Sequence, residues 1–196
     1  MTIRPGQEWG RPAHGALAVA RAASDAELAT LVETGGRGPF IVTGGDLYRA
    51  CGEPRRTKPD LLLAVDALDV ILDDTARRVA VAHVVVTRGW WRGPFTAVCN
   101  TDSVGEWNLA PRAHPNDGRA DVIEVVPEMS LRARWQARRR LPLGTHVPHP
   151  QITTRSAREV TLDFGRPVPV RIDGRSAGTA RHVAVRVRPD AFDLLV

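Results

Sequence analysis

The sequence predicts a mainly β protein of 196 residues, in which a sandwich-like or barrel-like β domain follows a short α/β segment. From Leu61 onward, runs rich in Val, Ile, Leu and Ala alternate with turn residues at the spacing typical of such domains. Apolar residues make up 43% of the chain and charged residues 25%, an ordinary globular composition that allows a core. We therefore expect an α/β segment with an N-terminal arm at residues 1–60, and a β domain at residues 61–196.

The α/β segment contains one clear helix signal. In "SDAELATLVET", Ser24 and Glu27 form a capping-box pattern and the leucines share one face. The preceding residues 1–12 resemble a loose arm. After the helix, "GPFIVTGG" predicts a short buried strand, "DLYRACG" predicts a helical turn ended by Gly52, and "EPRRTKPD" predicts a polar linker.

The β domain is divided by a single helical stretch, "LRARWQARRR", which Ser130 is placed to cap. Beyond it, "VPVRIDGRSAG" predicts a hairpin because Asp173-Gly174 stands between two alternating strands. The other predicted strands are "LLLAVDALDVIL", "RRVAVAHVVVTRG", "PFTAVCNT", "RADVIEVVP", "REVTLDF", "HVAVRVRP" and "AFDLLV".

Composition narrows the class of protein. There is no apolar run long enough to span a bilayer and no signal-peptide pattern, so a cytoplasmic protein is expected. Cys51 and Cys99 lack a metal-ligand spacing and are interpreted as free, buried thiols.

Two loops contain aromatic or histidine residues. In "TRGWWRGPF" we expect one tryptophan ring to fold over a core edge, and we interpret His146 and His149 as loop residues.

The net charge of +5 is concentrated in the helical stretch between Ser130 and Pro142, which contains five arginines and no acid. This helix is the candidate for binding an anionic surface, with peripheral membrane attachment as the consequence. A solvated helix packed by its apolar residues is the alternative, and nucleic acid is not expected because no recognition motif accompanies the arginines. The candidate residues are Arg132, Arg134, Arg138, Arg139 and Arg140.

Three separate patches resemble the diacylglycerol kinase and sphingosine kinase family, which includes bacterial lipid kinases of the NAD kinase-like superfamily. Ala110–Gly118 resembles the family's A-P-x-A-x-x-x-D-G segment, and Ile172–Arg175 resembles its late D-G-E hairpin. "TGGDLYRACG" resembles its G-T-G-N-D-F-A-R-x-L-G segment. The resemblance implies that the β domain is the C-terminal β sandwich of this superfamily.

The resemblance also implies two site residues. Asp117 would hold a structural Mg²⁺ ion together with the backbone carbonyls of His114 and Arg119. The alternative is a metal-free Asn-Asp-Gly turn. Asp173 would be the general base that takes the proton of a lipid hydroxyl, and the alternative is a hairpin turn for which Asp-Gly is simply the preferred pair.

The nucleotide-binding part departs from the family pattern. Gly44, Asp46 and Arg49 match the family's motif, and Gly45 replaces its asparagine; the resemblance makes these four the candidate cofactor-binding residues. However, if the segment is aligned with the family's phosphate loop G-G-D-G-T, Leu47-Tyr48 stand where that loop has Gly-Thr, and their side chains would obstruct a triphosphate. Arg175 replaces the family's glutamate in the late hairpin. Only about forty residues precede Thr43, which is too few for the family's complete nucleotide-binding domain.

We therefore expect a trimmed relative that binds a lipid or protein partner, with little or no ATP-dependent activity by itself. The alternative is an active lipid kinase that transfers phosphate from ATP to a diacylglycerol-type hydroxyl. Since the short N-terminal segment would leave one wall of the catalytic cleft missing, a second copy of the chain in a homo-oligomer would supply that wall.

Overall fold

The computed structural model describes residues 9–14, 18–54 and 60–196, and it confirms the mainly β fold class. The elements run in the order β1 (Arg11–Pro12), β2 (Ala20–Ala22), α1 (Asp25–Glu33), β3 (Phe40–Val42), α2 (Asp46–Ala50), β4 (Leu61–Leu72), β5 (Ala76–Ala80), β6 (His83–Thr87), β7 (Phe95–Cys99), β8 (Ser103–Val104), β9 (Trp107–Asn108), β10 (Ala120–Val125), α3 (Leu131–Arg140), a 3₁₀ turn (Leu141–Leu143), β11 (Ile152–Ala157), β12 (Glu159–Ile172) and β13 (Arg175–Leu195).

One large sheet carries most of these strands, in the order β1-β4-β13-β12-β6-β7-β10-β11 with antiparallel neighbours. The sheet bends so that one face of β6, β7 and β10 packs against β4, β12 and β13, as the apolar cluster containing Val84, Val98, Val122, Leu68 and Val185 shows. This is the packing of a β sandwich.

Two predicted strand boundaries are wrong. "REVTLDF" and "VPVRI" form the single strand β12, and "HVAVRVRP" and "AFDLLV" form the single strand β13. Register shifts between Asp163 and Val168 and between Arg188 and Phe192 mark bulges at the predicted breaks. A bulge bends a strand without ending it, so a sequence pattern interrupted by Gly or Pro can still be one strand.

The N-terminal segment shares a core with the β domain. Leu28 and Val32 of α1 pack with Val65 of β4 and with Phe192 and Leu194 of β13. The predicted Ser24 cap is confirmed, because the Ser24 hydroxyl accepts from the Glu27 amide at 3.3 Å. The Glu27 carboxylate accepts from the Ala23 amide at 2.8 Å, one residue before the cap. The predicted α2 turn and β3 strand also form.

The predicted arm and linker lie partly outside the described residues. Residues 1–8 of the arm and 55–59 of the linker are not described, while Arg11–Pro12 pairs with Leu61–Leu62 as β1, so that part of the arm is not loose.

Helix α3 covers the other face of β6, β7 and β10. Ala137 and Leu141 pack with Phe95 and Ile123, and the Ser130 hydroxyl caps the helix by accepting from the Ala133 amide at 3.2 Å. The predicted fold-back of one loop tryptophan is confirmed, because Trp90 is 5% exposed while Trp91 is 43% exposed. Within the described ranges, no helix is long and apolar enough to cross a membrane.

Candidate functional site

A cleft of about 500 Å³ opens where α1 and α2 meet strands β6 and β7 and the β12–β13 hairpin. Its lining is mainly apolar, with aromatic rings along one side. Four titratable side chains with little exposure lie at the other side. The apolar lining includes Val85, Trp90, Phe95 and Trp107, and the titratable groups are Asp25, Asp46, His83 and Asp173.

Asp173 sits at the tip of the β12–β13 hairpin with φ +47°, so the predicted Asp-Gly turn is confirmed. Its carboxylate accepts hydrogen bonds from the backbone amides of Val81, Ala82 and His83 at 2.9, 3.0 and 2.9 Å. These amides lie at the corner between β5 and β6, where they bind Asp173 and not a neighbouring strand. The predicted strand "RRVAVAHVVVTRG" is therefore divided into β5 and β6 at this corner.

Burial raises the pKa of Asp173 to about 7, although the three amide donors act in the opposite direction. A carboxylate offers about four acceptor positions, so a fourth donor can still be accommodated. The predicted role of Asp173 as a general base stays a prediction, and its structural role as an anchor of the corner is visible in the contacts.

The glycine loop before α2 holds an internal carboxylate. Asp25 accepts from the amides of Asp46 and Leu47 at 2.6 and 3.1 Å. Gly45 has φ +106°, and a Cβ atom at this position would lie 2.4 Å from the Asp25 Oδ1 atom. The loop is therefore shaped around the Asp25 side chain, and the pKa of Asp25 is raised to about 6 by burial.

This arrangement bears on the predicted nucleotide role of Gly44, Gly45, Asp46 and Arg49. Backbone amides at the start of a helix are the donors that a phosphate group would use. Here two of them already donate to the chain's own carboxylate. Asp25 was not predicted as a site residue, because an aspartate that directly follows a helix cap is common in first helical turns.

Asp46 connects the loop to the β domain. Its carboxylate accepts from the Gly105 amide at 3.0 Å and forms an ion pair with Arg49, which also donates to the Gly105 carbonyl at 2.6 Å. The His83 Nδ1 atom lies 3.3 Å from the Asp46 carboxylate, without the geometry of a hydrogen bond. Burial lowers the pKa of His83, so the neutral imidazole is the favoured form beside the carboxylates.

The turn at Asn116-Asp117-Gly118 is held from inside by Asp66, which is fully buried on β4. The Asp66 carboxylate accepts from the Gly118 amide at 2.7 Å and from the Asp190 amide at 2.9 Å, and burial raises its pKa to about 6. The Asn116 side-chain amide donates to the Asp190 carboxylate at 3.1 Å. Asp66 is one of two aspartates in the apolar run "LLLAVDALDVIL", and its place among apolar residues was the sequence signal for this contact.

Asp117 itself is half-buried, which raises its pKa, and it accepts from the Arg119 amide at 2.9 Å. The His114 carbonyl accepts from the Asp117 amide at 3.4 Å, while the His114 ring lies edge-on to Trp9 at 4.7 Å. One carboxylate with backbone carbonyls suits a hard cation in donor chemistry. In the described part of the chain, no group of three His, Cys, Asp or Glu side chains could hold a metal. The Mg²⁺ site stays a prediction.

For one of the five arginines, the predicted anionic-surface role is wrong. Arg134 is 0% exposed, and its guanidinium donates to the carbonyls of Met129, Trp90, Gly93 and Val126 at 3.1, 2.6, 2.7 and 3.0 Å. The planar fork satisfies carbonyls that the loops leave without strand partners, so this side chain points inward. The exposed arginines are Arg132, Arg138, Arg139 and Arg140.

His146 was predicted to be a loop residue, and it is one. It is nonetheless 2% exposed, so it belongs to the interior of the molecule.

The bent, mainly antiparallel sheet is consistent with the NAD kinase-like class of β-sandwich domains. Residues 64–196, more than half of the chain, match the family described as the YegS C-terminal NAD kinase beta sandwich-like domain, and the chain belongs to this family. The family resemblance inferred from the motifs is confirmed.

Solved structures support the same fold. A diacylglycerol kinase from Bacillus anthracis str. Sterne shares 13% identity, covers 90% of this chain and 75% of its own length, and has a TM-score of 0.61. Two further structures from that organism, each named as a candidate diacylglycerol kinase, have TM-scores of 0.65 at 13% and 11% identity. Each covers 90% of this chain, and the alignment spans 76% of its own length. No curated protein matches the chain.

Proposed function

We propose that the chain binds a diacylglycerol-type lipid in the cleft and has little or no ATP-dependent phosphotransfer activity by itself. The observation that carries this proposal is the division of the cleft into an aromatic side and a carboxylate side. An amphipathic ligand with a free hydroxyl and apolar chains matches both sides at once.

The hydroxyl end has acceptors to bind. Asp173 uses three amide donors and has room for a fourth, and a lipid hydroxyl supplies such a donor. The acyl end would contact the rings of Trp90, Phe95 and Trp107, which pack against one another with centroid distances from 5.3 to 6.4 Å. Trp90 and Phe95 are already almost fully buried, so most of the ring surface left for a ligand belongs to the partly exposed Trp107, and burying it favours binding.

The limited phosphotransfer is supported by the glycine loop. A triphosphate approaching the start of α2 would have to displace the Asp25 carboxylate from the amides of Asp46 and Leu47. A fixed negative charge at that point also repels phosphate. We therefore expect no micromolar ATP binding by the isolated chain.

Calorimetry tests the lipid proposal. Dioctanoylglycerol in neutral detergent micelles is titrated into the chain, and its 3-O-methyl ether, which lacks the donor hydrogen, is titrated in parallel. We expect binding of the alcohol and at least about tenfold weaker binding of the ether, because a buried acceptor is then left without its donor. Equal binding of the two compounds, or no binding of either, would refute the proposal.

A matched pair of variants locates the binding. Trp107→Ala removes a ring that lines the cleft, while Tyr48→Ala removes a partly exposed ring of α2 that neither lines the cleft nor belongs to α3. We expect only Trp107→Ala to weaken binding of dioctanoylglycerol, by about tenfold. A loss shared by both variants would contradict binding in this cleft.

An active lipid kinase is the second candidate function, and the pKa of Asp173 favours it. A carboxylate with a pKa near 7 is well suited to accept the hydroxyl proton while the hydroxyl oxygen attacks the γ-phosphorus of ATP and ADP leaves. Transfer of label from γ-labelled ATP to dioctanoylglycerol, assayed with Mg²⁺ at high protein concentration, tests it. Labelled phosphatidic acid from the wild type, absent with a folded Asp173→Ala variant, would establish kinase activity.

A structural Mg²⁺ ion is compatible with both candidate functions. The Asp117 carboxylate with the carbonyls of His114 and Arg119 would hold the ion, which would stabilise the turn by neutralising a half-buried charge.

A further inference from the structure

The exposed large apolar side chains of the described residues are concentrated on one surface. Trp91, Leu131, Trp135 and Leu143 are 43%, 59%, 48% and 75% exposed, respectively. Two of them lie on α3, one on the 3₁₀ turn that follows it, and Trp91 lies beneath the Arg138 guanidinium at 5.5 Å. We call this surface, together with the exposed arginines of α3, the α3 patch.

The charge of the α3 patch is of one sign. Arg132, Arg138, Arg139 and Arg140 are exposed, and α3 and its 3₁₀ turn contain no acidic residue. Arg139 lies over the Trp135 ring at 4.8 Å, so cations and aromatic rings are interleaved on the surface. Arg134, which the helical repeat places beside Leu131 and Trp135, points into the core and does not interrupt this outward face.

We infer that the α3 patch docks the protein on an anionic phospholipid bilayer. Exposed Trp and Leu insert at the level of the headgroups, and arginines bind the lipid phosphates around them. A strongly anionic protein would be bound by the arginines alone, and a single-stranded nucleic acid would use the arginines and stack on the two tryptophans. Neither partner gives a reason for the exposed Leu131 and Leu143 on the same surface.

Docking through this patch also orients the cleft. Trp107 lines the cleft and lies under the Arg138 guanidinium at 4.9 Å, and the Trp90 ring nitrogen donates to the Arg134 carbonyl at 3.0 Å. The aromatic side of the cleft therefore adjoins the α3 patch, and a lipid could enter from the bilayer without crossing water.

Cosedimentation with vesicles tests the docking. The vesicles contain phosphatidylcholine with or without about one third phosphatidylserine, and no diacylglycerol, so the result does not depend on the proposed cleft ligand. We expect binding to the anionic vesicles only, weakening as salt is raised. The triple variant Arg132→Gln, Arg139→Gln, Arg140→Gln should bind at least about tenfold more weakly.

The matched control is the triple variant Arg77→Gln, Arg181→Gln, Arg186→Gln, which makes the same change of charge on exposed positions of β5 and β13. Its vesicle binding should change less than threefold. Equal losses in the two triple variants would show that net charge alone binds the protein and would overturn the assigned surface, as would absent binding by the wild type.

A double variant, Trp135→Ala with Leu143→Ser, separates the apolar contribution. It should also weaken vesicle binding, without altering the salt dependence. If instead it converts a dimer to a monomer in sedimentation velocity, the patch is a contact between copies of the chain and the bilayer assignment is wrong.

Discussion

Replacing Arg134 by lysine should destabilise the protein, although the charge is kept. The guanidinium connects α3 to two loops, because its four closest acceptors are the carbonyls of Trp90, Gly93, Val126 and Met129 at 2.6 to 3.1 Å. An ammonium group has three donors at one point and cannot reach acceptors arranged around a planar fork.

The size of the effect follows from the bonds that are lost. Hydrogen bonds to a charged group contribute about 1.5 to 3 kcal/mol each, and a buried carbonyl left without a donor adds a desolvation cost. Lysine can keep at most three of the four shortest bonds, and its geometry favours fewer. The loss of one to two bonds predicts a decrease of about 3 kcal/mol in the free energy of unfolding.

Urea denaturation followed by tryptophan fluorescence measures this decrease. Arg132→Lys, on the same helix but exposed, is the control and should change the free energy of unfolding by less than about 0.5 kcal/mol. If the two lysine variants unfolded at the same urea concentration, the Arg134 hydrogen bonds would not contribute as described, and the reasoning would be refuted.

Three other predictions concern the buried carboxylates and the turn. Because burial raises the pKa of Asp25 to about 6 and of Asp173 to about 7, the folded state binds more protons than the unfolded state between about pH 4 and 7. The free energy of unfolding should therefore fall as the pH rises through this window and level off above it; a stability that rises from pH 5 to pH 7 in urea titrations would contradict these pKa directions. Gly45→Ala should cost about 2 kcal/mol more than Gly52→Ala, since both glycines have positive φ but only the Gly45 methyl would meet the Asp25 carboxylate, and equal melting temperatures would exclude that contact. Millimolar Mg²⁺ should raise the melting temperature of the wild type and not of Asp117→Asn, whereas equal responses would leave the turn as hydrogen-bond geometry alone.

Much of the fold was accessible from local patterns. The Ser24 cap of α1, the Ser130 cap of α3 and the Asp173-Gly174 hairpin all form as predicted, because each depends on residues within a few positions of one another. The strand ends were less accessible, because β12 and β13 continue through bulges that only the partner strands define.

The candidate site was accessible in part. Asp46, Asp173 and the glycine loop were identified through motifs, and the structure brings them to one cleft. Asp25 and His83 were missed, because an aspartate in a first helical turn and a histidine before a valine run have ordinary local explanations. Their significance comes from the Asp46 and Leu47 amides and the Asp46 carboxylate, which lie on other elements.

The sequence by itself determined the β class, the positions of the helices and hairpin, and the family, since periodicity and turn chemistry are local properties of the chain. Only the tertiary structure decided what each charged side chain meets. Asp173 accepts from an amide 92 positions away, Asp66 accepts from one 124 positions away, and Arg134 turns inward on a helix whose pattern placed it outside. A charge takes its role from the donors and acceptors around it, and those are brought together by folding.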